Sequence, residues 1–306
     1  MSDFIQQEDI ENYIRKIFNK YNKVTKKSHF VKQEYLKNWS HDNNSVLVSM
    51  NGSPYKLVST SSICHERYMY EMELLSDNEV MQLKFFYANS PDIVRKINDE
   101  FIDDWQLCCK LMKVLENDKN KEFFKKMLIQ TGEDLQTNFE SAYTEKIKNC
   151  ILNCDESFLF DDYEKLNFCL FLFSQYLRTQ KKKQAIMFNY NESDEEGKKR
   201  FPLDPVRLWK VLIFVLTNMA SYTMLLKPNL HIEFIKSTEK LLITGDQPIV
   251  NIIGEDSVER FYFPISPTVG LIFPSTNNKV IIDDYEMIDK MNNEILKSSG
   301  RYVVKY

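Results

Sequence analysis

A chain of 306 residues with 43% hydrophobic and 13% aromatic side chains can bury a sizeable core, which argues against a disordered chain. Its net charge of -4 gives no general attraction to phosphate backbones, so nucleic-acid binding would need a local basic patch. Seven glycines and nine prolines are too few for the tight turns of a barrel, a propeller or a glycine-rich nucleotide fold, and helices are expected to dominate.

Residues 8–21 place Ile10, Tyr13, Ile14, Ile17, Phe18 and Tyr21 at the spacing of an amphipathic helix. A basic linker then leads to Ser28-His29-Phe30-Val31-Lys32-Gln33. Val31, Tyr35, Leu36 and Trp39 resume a helical spacing until His41-Asp42-Asn43-Asn44 breaks it, which sets His29 at or just before a short helix. Residues 45–50 and 55–59 are strand-like runs around Asn51-Gly52-Ser53-Pro54, a hairpin signal. Residues 77–152 read as helical, with breaks expected at Ser90-Pro91, Asn117-Asp118 and Thr131-Gly132.

Residues 163–177 are apolar almost all round, the mark of a helix inside the core, and end in Gln175-Tyr176-Leu177-Arg178-Thr179. Lys181-Lys182-Lys183 and residues 189–200 read as a solvated loop, before Asp204-Pro205 opens a long helix ending near Lys227. Its uncharged run, 211–226, carries Thr217, Asn218, Ser221 and Thr223 and falls short of the roughly 20 residues that span a bilayer, so it reads as a buried helix. Short runs at 231–235, 240–244, 259–263, 270–273 and 279–282 predict an antiparallel sheet, and 284–296 a closing helix. The expected fold class is α+β: a mainly helical core packed on a small antiparallel sheet formed largely by the C-terminal region. It is read as one domain over 1–306, with an N-terminal helix and hairpin in 1–60, a helical middle in 75–227 and the sheet and last helix in 230–306.

Cys64, Cys108, Cys109, Cys150, Cys154 and Cys169 form no C-x-x-C pair and read as buried free thiols. With no basic and apolar leader at the start, the expectation is a reducing, cytoplasmic setting away from membranes. Four histidines without a spaced cysteine cluster predict no metal site, and the lack of a Walker A loop, a G-x-G-x-x-G or a kinase set predicts no cofactor.

Three polar islands remain, each beside an apolar segment: residues 28–33, residues 175–179 and Thr244-Gly245-Asp246-Gln247-Pro248. His29 titrates near neutrality and is the candidate for proton transfer, against a plain reading as a capping or core histidine. Arg178 offers a bidentate fork for phosphate or carboxylate, against a buried ion pair, with Asp246 as one partner. Asp246 is a candidate to orient His29 or act as a base, against turn chemistry in which its carboxylate accepts backbone N–H bonds two residues on. Gln33, Gln175 and Thr179 are candidate substrate contacts, against satisfied buried polar groups. The lysines at 181–183 and 198–199 read as a solvated helix end rather than a phosphate collector.

The segment His29-Phe30-Val31-Lys32-Gln33-Glu34-Tyr35-Leu36-Lys37-Asn38-Trp39, the 175–179 island, the 244–248 turn and Phe263-Pro264-Ile265-Ser266-Pro267 resemble, in this order, the signature segments of a mostly bacterial family, domain-of-unknown-function family 4238. The chain departs from that pattern at Lys32 and Gln180, where the family often has proline, at Gly245, where it often has serine, and at Ile265; the polar residues are all present. The resemblance runs from about residue 26 to about residue 275. It implies one continuous domain and this choice of site residues, and it supplies no reaction.

Two functions are expected. The first is a metal-independent hydrolase or nuclease-like effector, of the toxin or phage-defence kind, acting on a nucleic acid or another phosphate-bearing substrate through His29, Arg178 and Asp246. The second is a non-catalytic interaction module in which the same residues form a buried network and a partner protein provides the function.

Overall fold

The computed structural model describes residues 24–116, 120–200, 203–253 and 259–306, so the helix expected over 8–21 and the break expected at Asn117-Asp118 lie outside the described residues. The chain opens with β1 (Ser28–His29), α1 (Gln33–Leu36), β2 (Ser45–Met50), β3 (Lys56–Ser59) and β4 (His65–Glu66). A helical stretch follows: α2 (Asp77–Phe86), α3 (Asp92–Leu115), α4 (Lys121–Ser141), α5 (Glu145–Leu152), α6 (Asp162–Leu177), α7 (Gln180–Glu192), α8 (Glu195–Arg200) and α9 (Pro205–Leu225). The last part carries β5 (His231–Lys236), β6 (Thr244–Gly245), β7 (Val250–Ile253), β8 (Glu259–Pro264), β9 (Val269–Ser275), β10 (Lys279–Ile282), α10 (Tyr285–Ser298) and β11 (Tyr302–Lys305).

The helices start where the sequence supplies caps. Ser76 and Glu79 make a capping box at α2, and Thr144, Asp161, Asp204 and Asp284 accept backbone N–H bonds at the starts of α5, α6, α9 and α10. Pro205 occupies the first turn of α9, where no N–H is needed. α9 is long and apolar enough to cross a membrane by length and composition, yet most of that stretch is buried in the fold, against α6 and α3. Phe214 on α9 gathers Phe101, Trp105, Phe139 and Tyr70 within ring-centroid distances of 5.6 to 6.1 Å.

Five C-terminal strands form one sheet in the order β10-β5-β9-β8-β7. Alternation along its strands feeds two cores. Phe261, Phe263, Leu271, Phe273 and Phe234 face the main core, where Phe173 and Phe168 of α6 meet Phe261 and Phe273 edge to face. Tyr262, Ile272 and Ile235 point the other way, onto Ile288, Met291 and Ile295 of α10. This is the expected α+β class: a largely helical chain whose middle helices cover a sheet made of C-terminal strands.

Several details differ from the sequence expectation. Beyond the one C-terminal sheet expected, the early hairpin β2–β3 forms a second sheet with β11 and β6, in the order β3-β2-β11-β6. β10 pairs with β5 in parallel, so the larger sheet is mixed. Thr131-Gly132 does not break α4, because Gly132 lies where a Cβ would sit 1.7 Å from the Tyr70 carbonyl oxygen; the glycine serves a close approach. Residues 180–192 and 195–200 are helical rather than a solvated loop, since Thr179 caps α7. The strand expected over 240–244 reduces to Thr244–Gly245, and β7 and β11 were not anticipated.

Candidate functional site: a polar cavity beside a buried network

The islands meet. Tyr35 of α1 places its hydroxyl 2.7 Å from Thr244 Oγ1 and donates to the Pro264 carbonyl at 2.7 Å, so the first segment, the third island and the 263–267 turn share one buried contact. Asn38 donates to the Ile265 carbonyl at 2.8 Å and Trp39 to the Leu242 carbonyl at 3.0 Å. The Asn38 and Trp39 bonds each satisfy a backbone carbonyl outside the strands.

The second island is a clamp on the first. Arg178, 1% exposed, donates from Nε to the Phe30 carbonyl at 3.0 Å and from Nη2 to Gln175 Oε1 at 2.8 Å, while Nη1 pairs with the Glu140 carboxylate of α4. Gln175 donates to the same Phe30 carbonyl at 2.9 Å and accepts from the Lys32 amide at 3.1 Å. Burial opposes the Arg178 charge and the Glu140 carboxylate outweighs it, so the guanidinium is held firmly protonated. The partner is thus Glu140, not Asp246. Thr179 bonds the Gln247 side chain, which donates onward to the Ile249 carbonyl at 2.6 Å.

Asp246 is engaged elsewhere. Its Oδ1 accepts from Gly300 N at 2.8 Å, and Oδ2 accepts from Arg301 N at 2.6 Å and Tyr302 N at 3.2 Å. The carboxylate therefore seats the start of β11, far along the chain, rather than its own turn, and it makes no hydrogen bond to His29. The lysines of α7 are also committed: Lys181 donates to the Lys297 carbonyl at 2.8 Å, Lys182 lies 4.1 Å from the Tyr176 ring centre, and Lys183 pairs with Glu66 at 3.2 Å.

His29 and Gln33 lie apart from this clamp, at the wall of a cavity of about 330 Å³ between the first segment and α4. Lys32, Tyr70, Glu133 and Gln136 also line it. Gln33 Nε2 donates to Thr60 Oγ1 at 3.0 Å. His29 pairs across β1 and β4 with His65, their rings edge to face at 5.7 Å. Burial, then His65 and Arg178, push the His29 imidazole below its ordinary value, which favours the neutral ring at pH 7. Glu133 moves the other way: burial raises it to about 7, the Ser28 hydroxyl that bonds it opposes this, and Glu140 adds to the rise. Ser28 is itself buried and accepts from Met69 N at 3.2 Å.

Three buried polar atoms at this cavity have no hydrogen-bond partner: His29 Nδ1, the Tyr70 hydroxyl and Gln136 Nε2. Buried polar groups are nearly always paired, so three orphans on one wall mark a space shaped for a polar occupant. A neutral histidine and a half-protonated carboxyl sharing that space can take and give protons near neutral pH. Among the described residues, no group of three or more His, Cys, Asp and Glu side chains is placed to hold a metal ion.

A family model described as Protein of unknown function (DUF4238) matches residues 27–305. The chain belongs to the DUF4238 family. No curated protein and no solved structure matches it. In this DUF4238 chain the signature segments converge on the clamp, whereas Glu133, Gln136 and Glu140 come from a helix with no signature at all. The signal for them was a polar stripe, Gln130, Glu133, Gln136, Thr137 and Glu140, at three- and four-residue spacing on one face of α4. An interior glycine taken as a helix end hid it.

Proposed function

We propose that the chain is an enzyme that works by general acid–base chemistry in the 330 Å³ cavity, with neutral His29 as base and Glu133 as acid. The observation that carries this reading is that His29, whose buried Nδ1 has no hydrogen-bond partner, lines the same cavity as a carboxyl raised to about 7. The reaction it suits is hydrolysis or transesterification, the hydrolase- or nuclease-like class expected from the sequence, with a phosphate ester as substrate. Arg178 and Gln175 act here as positioning residues that hold residues 30–32 next to His29, while Thr179 holds Gln247 and Asp246 holds residues 300–302, away from the cavity. Six free cysteines suit a reducing, cytoplasmic setting.

The test is induced expression in a bacterial host of wild type, His29→Ala and Glu133→Gln, scored by growth and by the integrity of RNA and DNA, with bis(p-nitrophenyl) phosphate hydrolysis by the purified proteins. Loss of breakage or hydrolysis by about a hundredfold or more in both folded variants is expected. Equal behaviour of wild type and both variants sinks the reading. It would favour the interaction module instead, which the commitment of five of the six candidate side chains to buried or part-buried hydrogen bonds already supports.

A further inference from the structure

We infer that Gln136, Tyr70 and Lys32 form an oxyanion seat in this cavity, built for the phosphate group of a small phosphate ester. The first support is the identity of the orphaned atoms. Gln136 is 4% exposed and Tyr70 1%, and both line the cavity; the Gln136 amide nitrogen has no partner, and the Tyr70 hydroxyl, beside the Arg178 guanidinium that can only donate to it, has no acceptor for its proton. The amide nitrogen of Gln136 can only donate, so what it lacks is an acceptor. The Tyr70 phenol keeps its proton, since burial lifts its pKa well above the ordinary range, and it too can donate. Two buried donors without an acceptor, on residues that line one cavity, call for an oxygen-rich ligand.

Charge supplies the second support. Of the carboxylates at the cavity, Glu34 pairs with Lys37 at 3.0 Å and Glu140 with Arg178, while Glu133 is partly protonated near neutral pH. Lys27 and Lys32 also line the cavity, and neither is in an ion pair with a carboxylate among the described residues. Lys32 Nζ donates only to the Glu140 carbonyl, at 3.1 Å, leaving two further N–H bonds to give. With Glu34 and Glu140 neutralised by Lys37 and Arg178 just outside the lining, Lys27 and Lys32 outweigh the partly protonated Glu133 and leave the cavity net positive. The donors come from three parts of the chain, α4, the segment after β4 and the segment after β1, an arrangement that suits a tetrahedral group better than a planar carboxylate. A volume near 330 Å³ is at the small end of ligand pockets, enough for a phosphate and a modest attached group.

The seat rests on the acid–base reading for its role in turnover, but its existence is read from binding alone. Inorganic phosphate and acetate are titrated calorimetrically into wild type, His29→Ala, Gln136→Leu, Tyr70→Phe and Lys32→Gln, with thermal melts to establish folding. Phosphate is expected to bind wild type saturably, to bind at least about tenfold more weakly to Gln136→Leu and Tyr70→Phe, with a smaller loss in His29→Ala, whose ring shares the cavity, and to lose most of its salt dependence in Lys32→Gln. Gln136→Glu, which keeps the shape and turns a donor into an anion, should abolish binding even if Gln136→Leu folds poorly. No saturable phosphate binding to wild type, unchanged affinity in the Gln136 and Tyr70 variants, or tighter binding of acetate would each overturn the seat. Phosphate binding without any hydrolytic activity would keep the seat and remove the acid–base enzyme.

Discussion

Glu133 is held between the Ser28 hydroxyl and the charges of Glu140, Arg178 and Asp134, and burial carries its carboxyl from the ordinary 4.5 to about 7. Between those values the folded chain binds more protons than the unfolded one, so stability falls as pH rises through that window. The span corresponds to something on the order of 3 kcal/mol. Glu133→Gln, which can still accept the Ser28 bond, should therefore raise stability above pH 7 by an amount of that order and flatten the pH dependence of urea midpoints between 5 and 7; an unchanged slope would contradict it. His29 has the opposite sign. Its lowered pKa means that the folded state binds fewer protons, so stability is lost as pH falls from 6.5 toward the depressed value. If the pair is catalytic, turnover follows a bell, rising as His29 deprotonates and falling near pH 7 as Glu133 does. A monotonic pH–rate profile would separate the two groups from the reaction. Arg178 belongs to a different class of residue: replacing it by Met strands the Glu140 carboxylate and leaves the Phe30 carbonyl to Gln175 alone, and a loss of about 3–5 kcal/mol in urea unfolding is expected.

α4 shows what can and cannot be read from an element in isolation. Its polar stripe is periodic and was open to view, but nothing in the sequence says which helix faces which cavity, because that depends on Tyr70 and Gly132 touching. A Cβ on Gly132 would lie 1.7 Å from the Tyr70 oxygen and 2.7 Å from its carbonyl carbon, both backbone atoms that cannot rotate away. Gly132→Ala should thus push α4 off the segment after β4, at roughly 1–3 kcal/mol or more, and widen the cavity that Tyr70, Glu133 and Gln136 line together. Thermal melts combined with phosphate titration check this, and a variant as stable as wild type would mean that the contact yields. The core helix α6 was legible for a different reason. A segment apolar on every side has one place to go, and Gln175 and Arg178 at its end had to find partners inside. Their partners, the Phe30 carbonyl and Glu140, were not legible, since a backbone carbonyl carries no sequence signal and Glu140 sits in no motif.

At the scale of the whole molecule the last strand, β11, ties the early hairpin to the third island. β11 lies between β2 and β6, so the four-stranded sheet joins the early hairpin, the third island and the last residues of the family match. The β2–β3 hairpin was visible in the sequence, but the shortness of β6 and the missing alternation signal at β11 hid the sheet they complete, while the five-stranded sheet, with its runs of aromatic and branched residues, was largely visible. Asp246 is the pin. Three backbone N–H groups converge on its carboxylate, and a fourth bond, from its own amide to the Tyr302 carbonyl at 3.0 Å, fixes the register. Without β11 the hairpin β2–β3 would stand as a two-stranded ribbon, which is marginal in water. Asp246→Ala should accordingly cost about 3–5 kcal/mol, because hydrogen bonds to a charged acceptor are the strong ones and their donors would be left buried. Asp246→Asn should cost nearly as much, since one of its two oxygens becomes a donor facing other donors. Hydrogen exchange separates this from general unfolding: amides of β2 and β11 should lose protection together while β8 and β9, packed between α6 and α10, keep theirs. Equal loss in both sheets would make the molecule one cooperative unit and Asp246 a part of its global stability rather than the pin of one sheet.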